Sequence, residues 1–290
     1  MLVKSRFKNI FRVLIRIGLS GLAVYVVLRN IEIGSTKRIF LGAEITWLIL
    51  ALIAFNMSKI ISAFRLNSFF RTAGLFLKWQ YNLKLYYAGM FYNLFLPGGI
   101  GGDGYKVYLL NKFYKTPLKP LIAASLLDRI SGMAALVFLA FLLFLPLGNR
   151  VGGTWLFHIT WILAMLIYPA YYLIQKIFFR NFNSVFIAGN IYSLAVQFFQ
   201  LISAFFILRS LGVESLYAEY LVLFLASSAI AVLPFTIGGF GARELVFIVG
   251  SDYLGIDRNT AIAFSVIFFI ITAVSSFTGI FLKTDPGMKN

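Results

Sequence analysis

Eight apolar segments divide the chain, and most charged residues lie between them. A membrane-spanning helix needs about 20 residues, and six of the segments are long enough or nearly so. The segment 83–96 is short, and 217–233 is borderline. The pattern predicts an all-α integral membrane protein. The segments cover about residues 13–28, 45–64, 83–96, 119–145, 154–175, 185–208, 217–233 and 260–282.

The two shorter segments lead into copies of one motif. Residues 96–106 read Leu-Pro-Gly-Gly-Ile-Gly-Gly-Asp-Gly-Tyr-Lys, and residues 233–243 read Leu-Pro-Phe-Thr-Ile-Gly-Gly-Phe-Gly-Ala-Arg. The copies lie 137 residues apart and share six identities and a final cation in eleven positions. Proline and glycine break helices, and membranes tolerate a break only where protein or a polar cavity satisfies the freed backbone. We therefore predict two related halves, 1–148 and 149–290, around a polar site.

Loop charges favour re-entry of the two short segments. If all eight segments crossed, the inner loops would hold 12 Lys and Arg residues and the outer loops 11. If 83–96 and 217–233 re-enter, the inner loops hold 16 Lys and Arg residues and the outer loops hold 7. This difference fits the enrichment of cations in cytoplasmic loops. Six full spans and two re-entrant segments give each half three crossings. The halves then have opposite orientations, as in inverted-repeat transporters, and both chain termini are cytoplasmic.

Composition narrows the function classes. The chain is 60% hydrophobic, with 26 basic and 10 acidic residues and a formal net charge of +16. Little chain remains outside the apolar segments to form a basic surface, so we expect anionic lipid and no nucleic acid as the partner of these charges. Cysteine is absent and His158 is the single histidine, so no metal site is expected. No cofactor motif is present, and we expect none to bind.

Charged residues inside apolar segments are candidate ligands for a substrate, because a charge at bilayer depth normally faces a cavity or a partner. Asp128 and Arg129 lie about ten residues into the fourth segment. Neighbouring residues on a helix point in different directions, so each needs its own partner. We expect Lys106 to contact Asp128, and a phosphate or carboxylate to contact Arg129. A structural ion pair between helices is the alternative.

Two further cations, Lys59 and Arg65, lie towards the inner end of the second segment. They either face the same site or extend to the lipid head groups along the helix surface. The glycine motifs add backbone N–H groups and the positive end of a helix dipole, which suit a phosphate. Close packing of helices through glycine is the alternative there.

Four stretches resemble the lysylphosphatidylglycerol synthase transmembrane-region family: residues 58–65, 91–103, 126–132 and 233–244. They occur in the family's order and extend over nearly the whole chain. The resemblance implies a multi-pass protein of the bacterial or archaeal inner membrane. Such a protein would move an aminoacylated or otherwise modified anionic phospholipid between leaflets. Fused family members also contribute to resistance against cationic antimicrobial peptides.

The predicted substrate site combines the motifs and the charges. Phosphate is expected at the glycines and at Arg65, Arg129 and Arg243. A cationic substituent is expected at Asp103, Asp128 and Glu244. The complete set is Arg65, Asn93, Pro97, Gly98, Gly101, Gly102, Asp103, Lys106, Asp128, Arg129, Pro234, Gly238, Gly239, Gly241, Arg243 and Glu244.

Other functions stay open beside lipid translocation. No synthase domain is found in the chain, so we expect no lysine transfer and predict no catalytic residue. One alternative is an ion-coupled transporter of a small anion, and another is a membrane enzyme without a familiar motif. A third is a non-catalytic partner of a separately encoded aminoacyl-transferase. The expected ligand is a membrane phospholipid, and association with a transferase or a second copy is left open.

Overall fold

A computed structural model describes residues 39–95, 101–232 and 241–282, and these ranges contain helices and no strand. The predicted first segment, 13–28, lies outside them, as do motif residues 96–100 and 233–240. The helices are α1 Ile45–Thr72, α2 Trp79–Phe95, α3 Gly101–Tyr114, α4 Leu118–Gly152, α5 Thr154–Phe178, a 3₁₀ helix Arg180–Val185, α6 Phe186–Ser210, α7 Tyr217–Val232, α8 Ala242–Leu254, α9 Arg258–Phe277 and a 3₁₀ helix Thr278–Phe281.

Five helical stretches in the described ranges are long and apolar enough to cross a membrane. They confirm the predicted all-α membrane fold. Each matches one of the predicted full spans, and the total number of spans, the cytoplasmic termini and the inverted repeat stay predictions. The stretches are Ile45–Thr72, Leu118–Gly148, Thr154–Phe178, Arg180–Ser210 and Arg258–Phe281.

The two motif-bearing regions form helical hairpins. In the first hairpin, the Asn93 side chain at the end of α2 accepts a hydrogen bond of 2.8 Å from the backbone N–H of Gly102 in α3. At its open end, the rings of Tyr81 and Tyr114 lie 6.0 Å apart. In the second hairpin, α7 packs on α8, and Gly250 faces the side chain of Leu223.

Within the described ranges, the first arms of these hairpins, α2 and α7, have 17 and 16 residues. At 1.5 Å per residue these described parts measure roughly 25 Å, against a hydrocarbon core of about 30 Å. Each ends next to an undescribed range, so the re-entrant topology stays a prediction.

Helices α1 and α6 form the central pair and run antiparallel. The Ser203 hydroxyl donates to the carbonyl of Ala51 at 2.8 Å, and Arg65 donates to Ser193 at 2.9 Å. Adding the motif offset of 137 to the bounds of α1 gives residues 182–209, which are α6 and the end of the preceding 3₁₀ helix. Equivalent helices of the two predicted halves therefore pack in opposite directions.

Two hydrophobic clusters lie at opposite ends of α1. The first contains Ala51 and Phe55 of α1 with Phe247 of α8. The second contains Phe69 of α1 with Leu110 of α3. The α7–α8 hairpin therefore packs at one end of α1 and the α2–α3 hairpin at the other, and the middle of α1 is left to face a polar space.

Candidate functional site

A cavity of about 270 Å³ lies between the two clusters, where the hairpins approach each other. Asn93 and Asp103 reach it from the first hairpin, and Ser228 and Arg243 reach it from the second. Of the α-helices in the described ranges, only α5 contributes nothing to its wall. The charged side chains of the wall are Lys59, Arg65, Asp103, Lys106, Asp128, Arg129 and Arg243.

One pair of opposite charges joins α1 to α4. The Nε of Arg65 lies 2.8 Å from Oδ1 of Asp128, and both residues are buried, with exposed fractions of 5% and 8%. A Cβ atom on Gly132, one turn after Asp128, would lie 3.0 Å from the Arg65 guanidinium. Glycine at this position therefore makes room for the arginine that links α1, α4 and α6.

A second group of charges centres on Asp103 at the start of α3. One oxygen of this carboxylate lies 2.7 Å from Nζ of Lys106, and the other contacts Arg129 of α4. The stem of Lys106 passes Gly89 of α2, where an added Cβ would lie 3.0 Å from the lysine Cδ. The carboxylate therefore holds cations from two helices beside the cavity.

The predicted contact between Lys106 and Asp128 is wrong. Lys106 instead pairs with Asp103, because residues three apart lie on one face of a helix. Asp128 forms the structural ion pair that the sequence left as an alternative. Arg65 is buried in that pair and does not extend to the lipid head groups.

Lys59 and Arg243 also face the cavity, and both are half-buried. The Nζ of Lys59 lies 4.4 Å from the ring centre of Phe55, and Cζ of Arg243 lies 5.1 Å from that of Phe268. Neither cation has a carboxylate within 4.0 Å in the described part of the chain. Residues 96–100 and 233–240, which belong to the motifs, contain no acidic residue in the sequence. The positive charges of Lys59 and Arg243 are therefore left to attract a ligand.

The cavity wall has an excess of positive charge. Its described residues include five cations and two carboxylates, a formal balance of +3. A unit charge 4 Å from an opposite charge gains about 4 kcal/mol at an effective dielectric constant of about 20. An anionic group is therefore the ligand that this wall favours.

Residues 13–279 match the family model described as the lysylphosphatidylglycerol synthase TM region. The chain belongs to this family. The UPF0104 membrane protein of Pyrococcus horikoshii is 25% identical to it over 305 aligned positions, covering 87% of this chain and 89% of the relative. The family resemblance inferred from the motifs is confirmed, and the match includes all the helices that line the cavity.

Seven of the residues predicted for this family member line the cavity. They come from α1, α2, α3, α4 and α8, and are Arg65, Asn93, Asp103, Lys106, Asp128, Arg129 and Arg243. Five predicted residues lie outside the described ranges and are Pro97, Gly98, Pro234, Gly238 and Gly239. The remaining four, which are Gly101, Gly102, Gly241 and Glu244, lie outside the cavity wall.

Glu244 has a capping role, in contrast to the expectation that it would face a cationic head group. One of its oxygens accepts a hydrogen bond of 2.7 Å from the backbone N–H of Gly241, and the other accepts one of 2.8 Å from Ser265. The residue is only 1% exposed. Glu244 therefore fixes the start of α8 against α9, as a glutamate at the third helical position commonly does.

Gly102 serves close packing of the first hairpin. A Cβ atom there would lie 1.8 Å from the carbonyl oxygen of Gly89, so only glycine lets α2 and α3 approach this closely. The packing alternative that the sequence left open therefore applies at this position.

Sequence reasoning missed several polar residues of the wall. Gln197 and Ser228 each have a buried side-chain oxygen without a hydrogen-bond partner among the described residues. Gln200 of α6 and Thr272 of α9 also line the cavity. Burying an unpaired amide is unfavourable, and glutamines inside the apolar segment 185–208 were the signal that could have identified this wall.

Proposed function

We propose that the protein moves a phosphate-bearing membrane lipid between leaflets. The head group occupies the cavity while the acyl chains stay in the bilayer. The observation that carries this proposal is the pair Lys59 and Arg243, two half-buried cations that face the cavity without a carboxylate beside them among the described residues. Charges at bilayer depth are unfavourable and typically mark a substrate pathway.

The hairpins support a transport role. They pack at opposite ends of α1, yet residues near the end of each line one cavity. A site between two units that approach from opposite sides can open to one leaflet and then the other by a small movement of either unit. The antiparallel packing of α1 on α6 supports the inverted repeat that this movement requires.

The surroundings of α5 support the same repeat. Its Tyr168 and Tyr171 lie 5.0 and 5.4 Å, between ring centres, from Phe138 of α4 and Phe186 of α6. Tyr171 belongs to the second hydrophobic cluster, and Tyr168, Val185 and Phe186 pack against it. Phe138 contacts α5 through Tyr168.

Shifting the residues that surround α5 by the motif offset of 137 gives residues that line an apolar groove in the other half. Positions 130, 134, 182, 185 and 186, which belong to or pack against the second cluster, correspond to Ile267 and Ile271 of α9 and to Ile45, Leu48 and Ile49 of α1. These five counterparts line a groove of about 190 Å³. The sequence counterpart of α5 is residues 17–41, most of which lie outside the described ranges. A packing surface for one helix thus recurs at the offset of the motif.

Family membership agrees with a lipid ligand. The family is named for the membrane region of lysylphosphatidylglycerol synthase, and a phospholipid head group is the ligand that this name suggests. The cations of the cavity provide a physical reason for binding the phosphate of such a lipid.

A translocation assay tests the proposal. The full chain is reconstituted in liposomes that contain a fluorescent phospholipid, and movement between leaflets is followed by chemical quenching of the outer leaflet. We expect Arg243→Ala and Lys59→Ala each to slow movement about tenfold or more, since a hydrogen bond to a charged group contributes about 1.5–3 kcal/mol. Arg258→Ala is the matched control, because Arg258 forms an exposed pair with Asp252 away from the cavity.

Unchanged translocation in both cavity variants would overturn the assignment. Transport of a soluble anion such as phosphate, without movement of lipid, would favour the ion-coupled transporter instead. Both measurements use the same liposomes, so one preparation distinguishes the two functions.

A further inference from the structure

We infer that the preferred head group is a dianionic phosphate, such as a phosphate monoester, without a cationic substituent. This inference rests on the proposed function and names the class of lipid for the same cavity. Of the aminoacylated or otherwise modified phospholipids that the family resemblance implies, it disfavours the aminoacylated ones. Two observations support it. The carboxylates of the wall are already paired with cations, and two cations of the wall have no carboxylate partner among the described residues.

The carboxylates near the cavity already have partners. Both oxygens of Asp103 contact cations, and Asp128 is bound to the buried Arg65. Both oxygens of Glu244 accept hydrogen bonds from Gly241 and Ser265, away from the wall. The other acidic residues in the described ranges do not line the cavity. An ammonium group on the lipid would therefore compete with a cation already in place at either wall carboxylate.

The two remaining cations suit a doubly charged anion. Lys59 comes from α1 and Arg243 from α8, so they approach the cavity from the two predicted halves. Each lies over an aromatic ring, and both face the same cavity. A phosphate monoester carries about −1.5 to −2 charges at neutral pH and can contact both cations.

The charge on the head group then sets an order of affinity. Phosphatidic acid has a monoester phosphate, phosphatidylglycerol has a singly charged diester, and lysylphosphatidylglycerol adds two ammonium groups to that diester. The excess of cations at the cavity favours the first and repels the last. We expect phosphatidic acid to bind most tightly and lysylphosphatidylglycerol most weakly.

Binding of the three lipids, with identical acyl chains, to the full-length protein in detergent tests this order. Native mass spectrometry gives the bound fraction at each lipid concentration. Phosphatidic acid should bind about tenfold or more tightly than lysylphosphatidylglycerol, the change expected for one charge-assisted hydrogen bond. The double variant Lys59→Gln/Arg243→Gln should bind phosphatidic acid no better than phosphatidylglycerol.

Two further variants keep the test decisive. Lys59→Arg/Arg243→Lys retains both charges and should retain the order of affinity, whereas Arg258→Gln removes an exposed cation away from the cavity and should leave all three affinities unchanged. The melting temperature without lipid shows whether the glutamine variant folds; loss of the native transition in that variant would overturn the inference, because it would assign the two cations to the fold.

The outcomes separate the inference from the proposed function. If lysylphosphatidylglycerol binds as tightly as phosphatidic acid or more tightly, the inference is overturned, while translocation of a phosphate-bearing lipid stands. An unchanged order of affinity in Lys59→Gln/Arg243→Gln would overturn the inference as well. If none of the three lipids binds and none is translocated, both proposals are overturned.

Discussion

The two copies of the glycine motif end in a cation, and the two cations have different surroundings. Lys106 and Arg243 occupy the same motif position. Three residues earlier the first copy has Asp103, which pairs with Lys106 at 2.7 Å, whereas the second copy has Phe240. The first hairpin therefore neutralises its own cation, and the second leaves its cation available to a ligand.

The same contrast extends to the rest of the repeat. Positions 65, 128 and 129 hold charged residues, and their counterparts at the offset of 137 are Ile202, Ser265 and Val266. Among the described residues, the first half thus provides the ion pairs beside the cavity, while the second half contributes Arg243 as its charged residue there. Two halves that share a packing plan can therefore divide structural and binding roles between them.

The largest effect is expected from breaking the buried pair of the first half. Asp128→Ala leaves Arg65 buried without its carboxylate and should lower the free energy of unfolding by about 3–5 kcal/mol. Its counterpart Ser265→Ala removes only a hydrogen bond to Glu244 and should lower it by about 1–3 kcal/mol. Denaturant unfolding in detergent measures both. Equal losses would contradict the division between the halves.

The glycines of the two hairpins give the next largest contrast. Gly102→Ala places a methyl group against the backbone of Gly89 and should destabilise the protein by about 3 kcal/mol. Gly250→Ala meets the side chain of Leu223, which can rotate, so about 1 kcal/mol is expected. Gly104→Ala is the control, because nothing lies within 4 Å of the added atom. Thermal unfolding gives the order of stability of the three variants. A loss of stability in Gly104→Ala as large as that in Gly102→Ala would refute the packing argument.

The smallest change in stability should come from the cation of the second hairpin. Lys106→Met removes a buried partner of Asp103 and should cost about 2 kcal/mol, since it leaves that carboxylate with one contact fewer. Arg243→Met removes a charge without a carboxylate partner in the described ranges, so the lipid-free protein should change by less than about 1 kcal/mol or become more stable. Unfolding without lipid compares the two variants. A larger loss of unfolding free energy in Arg243→Met than in Lys106→Met would contradict this prediction.

Much of the fold could be predicted from the sequence, because apolar segments of about 20 residues have few structures available in a bilayer. The repeated motif likewise predicted a helix break in each half, and each copy begins directly after the first arm of a hairpin. Partners of side chains were harder to predict, since they depend on how each helix is rotated about its axis. Asp128 was assigned to Lys106, whereas it faces Arg65 across the α1–α4 contact.

Two local patterns were nevertheless available in the sequence. Asp103 and Lys106 are three residues apart, a spacing that favours pairing within one helix. Glu244 lies three residues after Gly241, the spacing at which a glutamate can accept a hydrogen bond from the backbone N–H of the residue before a helix. Lys59 could not be separated from a cation that extends to the lipid surface, because that distinction required the position of the cavity.

The identity of the lipid that co-purifies with the protein tests the central claim most directly. Quantitative lipid mass spectrometry on the detergent-purified full chain should find a phosphate-bearing lipid at about one molecule per chain, as one cavity implies. The variant Lys59→Met/Arg243→Met should lose this lipid, whereas Arg258→Met should retain it. Equal amounts of the same lipid in the wild-type protein and in both variants would contradict the claim that these two cations hold the phosphate.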